Sequence, residues 1–252
     1  MRRLIVSDFH LNPDEPSRYR AVTEAIIKCP CDQLILAGDI FETWVGDDGA
    51  TELDFKFLEF CGRHCRDTLF IHGNRDFLIT NDYLRSLGIS LVEKIAGPNL
   101  IVIHGDELCT SDHDYQKFRK KVRSTDWANN FLNKPLSERQ TIAKNLRQVS
   151  RETQANRADS ICDAVESEIQ QWLQRFDSQL LIHGHTHRPA VHTHPSGLRC
   201  VTSDWDMSGT GIFVDTSDAG TTVSLCLLSP DKVTVNERWT RHAGTPEWKR
   251  NS

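Results

Sequence analysis

The sequence predicts an α/β fold whose core of alternating strands and helices is interrupted by a helical insertion. Over the first half of the chain, short apolar runs alternate with amphipathic segments of helical length. Residues 111–176 contain no glycine and one proline, and their apolar residues recur at helical spacing. After residue 197, short runs separated by turn residues are typical of antiparallel strands.

The elements of the first half follow from their apolar periodicity and their terminal residues. Strands are predicted at 4–6, 34–37, 68–71, 90–94 and 99–103, and helices near 17–28, 51–63 and 81–87. Ser17 is the expected cap of the first helix, with Val22, Ile26 and Ile27 facing inward. A strand at 180–182 resumes the core after the insertion.

The predicted domain organisation has three parts. They are a core over 1–110 and 177–240, a helical lid insertion over 111–176, and a polar tail over 241–252 that we expect to be poorly ordered. Apolar residues three or four apart mark two helices in the insertion: Ile142, Leu146 and Val149, then Ile161, Val165, Ile169 and Trp172.

Composition excludes several classes of protein. The chain has 252 residues, a net charge of −5 and 38% hydrophobic residues, which is too apolar for a disordered chain and too acidic for a typical nucleic-acid binder. Its apolar runs are shorter than the ~20 residues of a membrane span. The first residues do not resemble a signal peptide, so we expect a cytoplasmic protein.

The charge is unevenly distributed. Residues 117–157 contain eleven basic side chains against three acidic ones, which gives this segment +8 and leaves −13 for the remainder of a chain whose net charge is −5. The sequence thus predicts a basic module on an acidic body. A solvated helix face and a site for an anionic partner are both consistent with it.

Eight cysteines are expected to be reduced thiols, because no leader sequence indicates an oxidising compartment. Cys61 and Cys65, with His64 between them, have partly the spacing of a zinc site. No second Cys/His pair follows at the spacing of a zinc finger, and the segment has a helical pattern. A metal site is therefore disfavoured there.

Polar side chains follow five predicted strands at the point where each strand ends. They are Asp8, His10, Asp39, Asn74, His104, His185 and His187. Because ligands bind beyond the carboxyl ends of strands in open α/β sheets, we expect these residues to converge. Mixed oxygen and nitrogen donors favour Mn, Fe, Zn or Co over Ca or Mg. Seven ligands suit two ions that clamp a phosphoryl group.

These residues carry a resemblance to a known family. Asp8-Phe9-His10, Gly38-Asp39, Gly73 to Asp76, His104-Gly105-Asp106 and Gly184 to His187 resemble the motifs of calcineurin-like metallophosphoesterases, in the same order and spacing. The resemblance implies a four-layer α-β-β-α sandwich. It implies one ion held by Asp8, His10, Asp39 and His187, and a second by Asp39, Asn74, His104 and His185, with Asp39 bridging. The two divalent ions would most typically be Mn²⁺.

A narrower resemblance covers about residues 1–205. Residues 41–48, 71–78, 108–112 and 182–192 are similar to the branch of this family that acts in lipid A biosynthesis. That branch hydrolyses UDP-2,3-diacylglucosamine to UMP and the 1-phosphate lipid. The resemblance implies a UDP-linked acylated sugar as substrate, a helical lid, and peripheral contact with the anionic cytoplasmic face of the inner membrane. It also implies no nucleic-acid partner and a monomer or weak dimer.

Arg75 bears on the chemistry, because the wider family usually has histidine at this position. Arginine stays protonated and cannot act as a general acid, but it can hold phosphate oxygens. A phosphomonoester leaves without protonation more readily than an alkoxide, since its second pKa is about 6. Arg75 therefore favours cleavage of a diphosphate, with Asp39, Asn74 and Arg75 as the catalytic residues.

The predicted substrate contacts are Arg75, Asp112, Ser150, Gln154, Arg157 and His185. The branch usually has asparagine or threonine where Gln154 stands and lysine where Arg157 stands, and arginine does not replace lysine freely. These departures leave open another nucleotide diphosphate or a phosphodiester as substrate. A non-catalytic protein-binding scaffold is a further alternative, disfavoured because all seven ligand positions are retained.

Overall fold

The computed structural model describes residues 1–155 and 163–251, and the side chains of all of these except 151–155. The strands are β1 Arg2–Val6, β2 Gln33–Leu36, β3 Asp67–Ile71, β4 Ser90–Val92, β5 Ile95–Gly97, β6 Leu100–Val102, β7 Leu180–His183, β8 Ala190–His194, β9 Gly197–Val201, β10 Gly209–Ser217, β11 Gly220–Leu228, β12 Val233–His242 and β13 Lys249–Asn251. The helices are α1 Pro16–Ile27, α2 Glu52–His64, α3 Asn81–Ser86, α4 His113–Val122, α5 Thr125–Leu132, α6 Leu136–Ala155 and α7 Glu166–Arg175.

The strands form two sheets. One has eight strands in the order β13-β12-β11-β10-β1-β2-β3-β4, and the other has five in the order β5-β6-β7-β9-β8. Strands β1 to β4 are parallel to one another, and β6, β7 and β9 are parallel in the second sheet. The carboxyl ends of both parallel sets can therefore carry one common site.

Three apolar clusters separate four layers, because successive strand residues point to opposite faces of a sheet. Leu34 of β2 packs with Val22 of α1 on the outer face of the larger sheet. Its neighbour Ile35 points the other way and packs with Ile182 of β7, between the sheets. Leu181 packs with α7 on the far side of the smaller sheet. The expected α-β-β-α sandwich is confirmed.

Within the described residues, the insertion between β6 and β7 contains four helices, α4 to α7. The helix predicted from Ile142, Leu146 and Val149 is α6. Of the residues predicted for the second helix, Val165 is the N-cap residue that precedes α7, and Ile161 lies outside the described residues. No helix in the described parts of the chain is long and apolar enough to cross a bilayer. In α1, Ile27 is 57% exposed, so its predicted inward orientation is wrong.

The predicted polar tail is largely built into the larger sheet. Strand β12 extends to His242, and β13 pairs with it through residues 249–251. The indole Nε1 of Trp248 donates a hydrogen bond to the carbonyl of Gln179, 3.1 Å away, at the start of the smaller sheet. Residues 249–251 thus form an edge strand, and the expectation of a poorly ordered tail is wrong for them.

The cysteines also differ from expectation. Cys31 and Cys65 form a disulfide, so the prediction that all eight are reduced thiols is wrong for this pair. Their sulfurs lie near the ring of His64, whereas Cys61 is buried in the core. The bond joins the segments that precede β2 and β3. It therefore lies at the amino-terminal ends of these strands, opposite the carboxyl ends that carry the polar residues.

Candidate active site

The loops after β1, β2, β3, β6 and β7 bring the predicted ligands together. The backbone N–H of Asp8 donates to the carbonyl of Gly38 (3.0 Å), and that of His10 to the carbonyl of Asp39 (3.1 Å). The N–H of Gly184 donates to the carbonyl of His104 (2.8 Å) and so joins the second sheet to the same cluster. Each ligand loop is thereby fixed by a neighbouring ligand loop.

Backbone strain marks these loops. Among the described residues, six other than glycine have positive φ, and five of them are predicted ligands: Asp8, His10, Asp39, His185 and His187, with φ between 49° and 63°. Such left-handed conformations are uncommon outside glycine and cluster at functional sites. This observation singles out the predicted site without reference to its chemistry.

Two groups of side chains have the donors that a divalent metal requires. Asp8, His10 and His187 form one group, and Asp8, Asp39 and His104 form the other, with the donor atoms of each group within 4.8 Å of one another. His10 Nε2 lies 3.3 Å from His187 Nε2, and His187 Nε2 lies 3.1 Å from Asp8 Oδ1. Carboxylate oxygen and imidazole nitrogen suit a transition-metal ion.

The buried polar atoms also fit a metal pair. His10 Nδ1 is buried and lies 3.6 Å from Glu42 Oε2, which leaves Nε2 facing His187. His104 Nδ1 faces the carbonyl of Ala37 at 3.0 Å, which turns Nε2 towards Asp39 Oδ1, 3.6 Å away. This is the usual way in which a ligating imidazole is oriented. Asp8 belongs to both groups, and the bridging role assigned to Asp39 stays a prediction.

The two remaining predicted ligands lie beside the second group. Asn74 Oδ1 is 3.0 Å from His104 Nε2. The ring of His185 packs edge-on against that of His104 at 5.1 Å, and the His185 backbone N–H donates to the Asp8 carboxylate. All seven predicted ligands therefore converge, and which ion each would hold stays a prediction.

Charge and burial divide these groups into ionised and neutral forms. Burial would raise the pKa of Asp8, but the His187 hydrogen bond and nearby histidines lower it well below 3.8. Burial and Arg75 lower the pKa of His10 to about 4, and burial and His104 lower that of His185 to about 4. Burial would lower the pKa of His104, but Asp39 and Asp8 raise it to about 9. Ionised carboxylates and neutral imidazoles are the forms that bind metals, so His104 would have to release a proton to bind one.

Arg75 extends from this cluster towards the helical insertion. Its backbone N–H donates to Asp39 Oδ1 (2.9 Å), and its Nε lies 3.2 Å from Asp39 Oδ2. Its Nη1 pairs with Glu42, which also pairs with Arg147 of α6 and lies 3.6 Å from His10. One carboxylate therefore links the insertion, the predicted catalytic residue Arg75 and the predicted metal ligand His10.

Glu42 and Arg147 did not emerge from the sequence as site residues. Glu42 lies within residues 41–48, which carry part of the family resemblance, so that stretch is the only sequence signal for it. Arg147 is one of eleven basic residues in its segment and has no motif that sets it apart.

The helical insertion is anchored by a buried carboxylate. Asp106 is fully buried and accepts hydrogen bonds from Tyr115 (2.8 Å), Arg119 (2.6 Å) and Arg123 (3.2 Å). Arg123 also donates to the carbonyl of Gly73 (3.0 Å), directly before Asn74. Helix α4 is thereby locked against two of the ligand loops.

A cavity of about 350 Å³ lies between the insertion and the ligand cluster. Its apolar lining comes from Trp44, Val45, Phe77, Leu78, Phe118, Val122, Trp127, Phe131, Ala143, Leu146 and Val149. Asn74, Arg75 and Arg147 also line it. The predicted contacts Asp112 and Ser150 line it as well. The side chain of Gln154 and the whole of Arg157 lie outside the described residues.

The family of calcineurin-like phosphoesterases matches residues 1–189 of this sequence. The chain belongs to that family. Relatives named UDP-2,3-diacylglucosamine hydrolase match most of this chain. That of Chromohalobacter salexigens is 35% identical, covering 81% of this chain and 89% of its own length. The Shewanella loihica protein is 37% identical, covering 82% of this chain and 89% of its own length. The Serratia proteamaculans protein is 35% identical, covering 85% of this chain and 95% of its own length.

Proposed function

We propose that this phosphoesterase hydrolyses the diphosphate of UDP-2,3-diacylglucosamine, giving UMP and 2,3-diacylglucosamine 1-phosphate. The observation that carries the proposal is the largely apolar cavity that Asn74 and Arg75 also line. The names of the relatives, which match most of this chain, support the same substrate.

The cavity matches a substrate that has acyl chains next to a phosphate. Burial of each methylene contributes about 0.8 kcal/mol, so acyl chains in this cavity would contribute substantially to binding. A soluble nucleotide sugar has no apolar group to fill it. Arg75 and Arg147 line the same cavity and provide two guanidinium groups that can bind a lipid phosphate.

Two divalent ions, with Mn²⁺ as the proposed native metal, would be held by Asp8, His10, Asp39, Asn74, His104, His185 and His187. Ions in such a site supply positive charge for the phosphoryl oxygens and a reactive water. The donor set and the strained loops support this assignment. Replacement of Asp39 by alanine should abolish both activity and metal uptake.

The chain's own residues orient the diphosphate and stabilise its charge. Attack of water on the α-phosphorus forms a new P–O bond and breaks the bond to the bridging oxygen, whose electron pair leaves with the sugar phosphate. Arg75 neutralises charge on these oxygens without transferring a proton. Because the leaving group is a phosphomonoester, the reaction does not need a histidine acid at this position.

Further contacts and the location of the protein belong to the same proposal. Asp112, Ser150, Gln154, Arg157 and His185 would bind the sugar phosphate. Apolar side chains at the cavity, among them Phe118 and Val149, are 42% and 60% exposed and would contact the anionic cytoplasmic face of the inner membrane. We further propose a monomer or weak dimer without a nucleic-acid partner.

The test is a comparison of two substrates by the Mn²⁺-loaded protein. We expect UMP release from UDP-2,3-diacylglucosamine to exceed release from unacylated UDP-N-acetylglucosamine by at least about 100-fold in kcat/KM, equivalent to ~2.7 kcal/mol. Equal rates would show that the substrate is another nucleotide diphosphate. The Asp39→Ala protein is the inactive control.

A further inference from the structure

We propose that a second cavity, next to His10 and His187, binds the nucleoside half of the substrate and that Arg18 and Asp206 recognise it; the inference rests on the proposed function. This cavity has a volume of about 560 Å³. Its walls include Arg18 of α1 and the loop from Asp204 to Ser208. These residues were not part of any sequence prediction.

The two cavities adjoin at the site. Glu42, Arg75 and Arg147 line both of them. A diphosphate held by the two arginines therefore has one substituent in each cavity. The first cavity is lined mainly by aliphatic and aromatic side chains and suits the acylated sugar. The nucleoside then occupies the second, whose lining is mainly charged and polar.

The polar groups of the second cavity complement a nucleoside. Arg18 Nε is buried and has no hydrogen-bond partner among the described residues, and the same is true of Trp205 Nε1. A buried donor without a hydrogen-bond partner costs free energy, and the two carbonyl oxygens of uracil could accept such hydrogen bonds. The carboxylates of Asp204 and Asp206 are 61% and 89% exposed and can accept hydrogen bonds from ribose hydroxyls.

The walls of this cavity are fixed relative to the metal ligands. The backbone N–H of Trp205 donates to the carbonyl of Asp8 (3.2 Å), and its ring packs edge-on against Phe9 at 4.9 Å. Arg18 Nη2 lies 2.8 Å from Glu15 Oε2 and 3.8 Å from Asp206 Oδ1, so two carboxylates hold this guanidinium group. A nucleoside bound here would therefore hold its α-phosphate at a constant distance from the ligand cluster.

The test measures how much the nucleoside adds to the affinity of a phosphate. UMP and inorganic phosphate are titrated calorimetrically into Mn²⁺-loaded wild type, Arg18→Ala and Arg20→Ala. Arg20 is exposed on the same helix and lines neither cavity. We expect the ratio of the two affinities to fall about tenfold in Arg18→Ala, as for loss of a charged hydrogen bond, and to stay constant in Arg20→Ala.

Two additional variants complete the test. Arg18→Gln retains most of the aliphatic stem and should show the same loss of ratio if Arg18→Ala folds poorly. Asp206→Asn should reduce the preference for UMP over its 2′,3′-dideoxy analogue. An unchanged UMP-to-phosphate ratio in both Arg18 variants overturns the proposed cavity. Failure of the wild type to cleave UDP-2,3-diacylglucosamine instead overturns the proposed function, which the binding data do not test.

Discussion

At the scale of single residues, backbone strain is concentrated at the predicted metal ligands. Left-handed backbone costs about 1–3 kcal/mol at each non-glycine residue, and five predicted ligands have it. The hydrogen bonds among the Asp8, Gly38, His104 and Gly184 backbones hold these loops in place. The ligand positions are therefore set by the fold rather than by the metal.

The first prediction concerns Gly184, whose position would place a Cβ against the carboxylate of Asp8 and the side chain of Ser7. Gly184→Ala should displace Asp8 and reduce kcat/KM by at least about 100-fold, since small displacements of reacting groups have effects of that size. Gly97→Ala is the control, because nothing lies within 4 Å of a Cβ there. Equal activity of both variants would contradict the close approach of Gly184 to Asp8.

The second prediction concerns Glu42, which pairs with both Arg75 and Arg147. Glu42→Gln removes the charge that holds both guanidinium groups, so we expect kcat/KM for the diacylated substrate to fall at least about tenfold. In a double-mutant cycle with Arg147→Gln the two losses should be non-additive. Glu138→Gln on α6, which breaks a surface pair with Lys134, should leave activity unchanged.

Residues next to strand ends were predictable because strand and ligand occupy one short segment of sequence. The strand ending at Val6 and the ligands Asp8 and His10 are the clearest case. The pair of Glu42 and Arg147 was not predictable, since 105 positions separate them and only the packing of α6 brings them together.

At the scale of elements, helix α4 depends on the buried charge of Asp106. Removing one partner of a buried ion pair typically costs 3–5 kcal/mol. Asp106→Asn removes the counter-charge of Arg123 and leaves Arg119 only its longer contact with Glu107, so we predict a loss of about 3 kcal/mol in the free energy of unfolding. KM for the diacylated substrate should rise as α4 loosens. An unchanged urea midpoint would contradict this account.

The pH dependence of this effect follows from the pKa of Asp106. Burial would raise it, but Arg123, His104 and Arg119 hold it well below its ordinary value of 3.8. The ionised carboxylate therefore stabilises the fold fully above pH 3.8 and less as the pH falls further. The difference in unfolding free energy between wild type and Asp106→Asn should be constant from about pH 5 to 8 and shrink below about pH 4.

Most strands that carry an apolar run were predictable, including the three-residue strands β4 and β6, whereas β5, β8 and β13 were not. Strand β5 has three residues, Ile95–Gly97, which is too few for a periodic pattern. Strand β8, Ala190–His194, directly follows the last ligand motif, and its partly exposed residues give no apolar run. Strand β13 is entirely exposed, so its pairing with β12 left no hydrophobic signal.

At the scale of the whole molecule, the disulfide and the ligand cluster occupy opposite edges of the larger sheet. The bond between Cys31 and Cys65 closes a separation of 34 residues. Replacement of both cysteines by serine should lower the free energy of unfolding by about 2–4 kcal/mol. Because the bond is remote from the ligands, kcat should be unchanged. A reductant should destabilise the wild type but not the double variant.

The charge distribution was predictable, but its use was not. Much of the basic excess of the insertion attaches that segment to the acidic body: Arg119 and Arg123 pair with Asp106, Arg139 with Asp48, and Arg147 with Glu42. Opposite net charges on two parts of one chain thus indicate how the parts bind each other as well as what they bind outside.

The junction of the two cavities at Arg75 and Arg147 has a consequence for what happens after cleavage. A molecule cut at that point is already divided by polarity. In the proposed binding mode, the acylated product lies under the helices that we place at the bilayer, and UMP lies in the second cavity. The enzyme can therefore return one product to the lipid phase and the other to the aqueous phase, and neither has to pass the other on its way out.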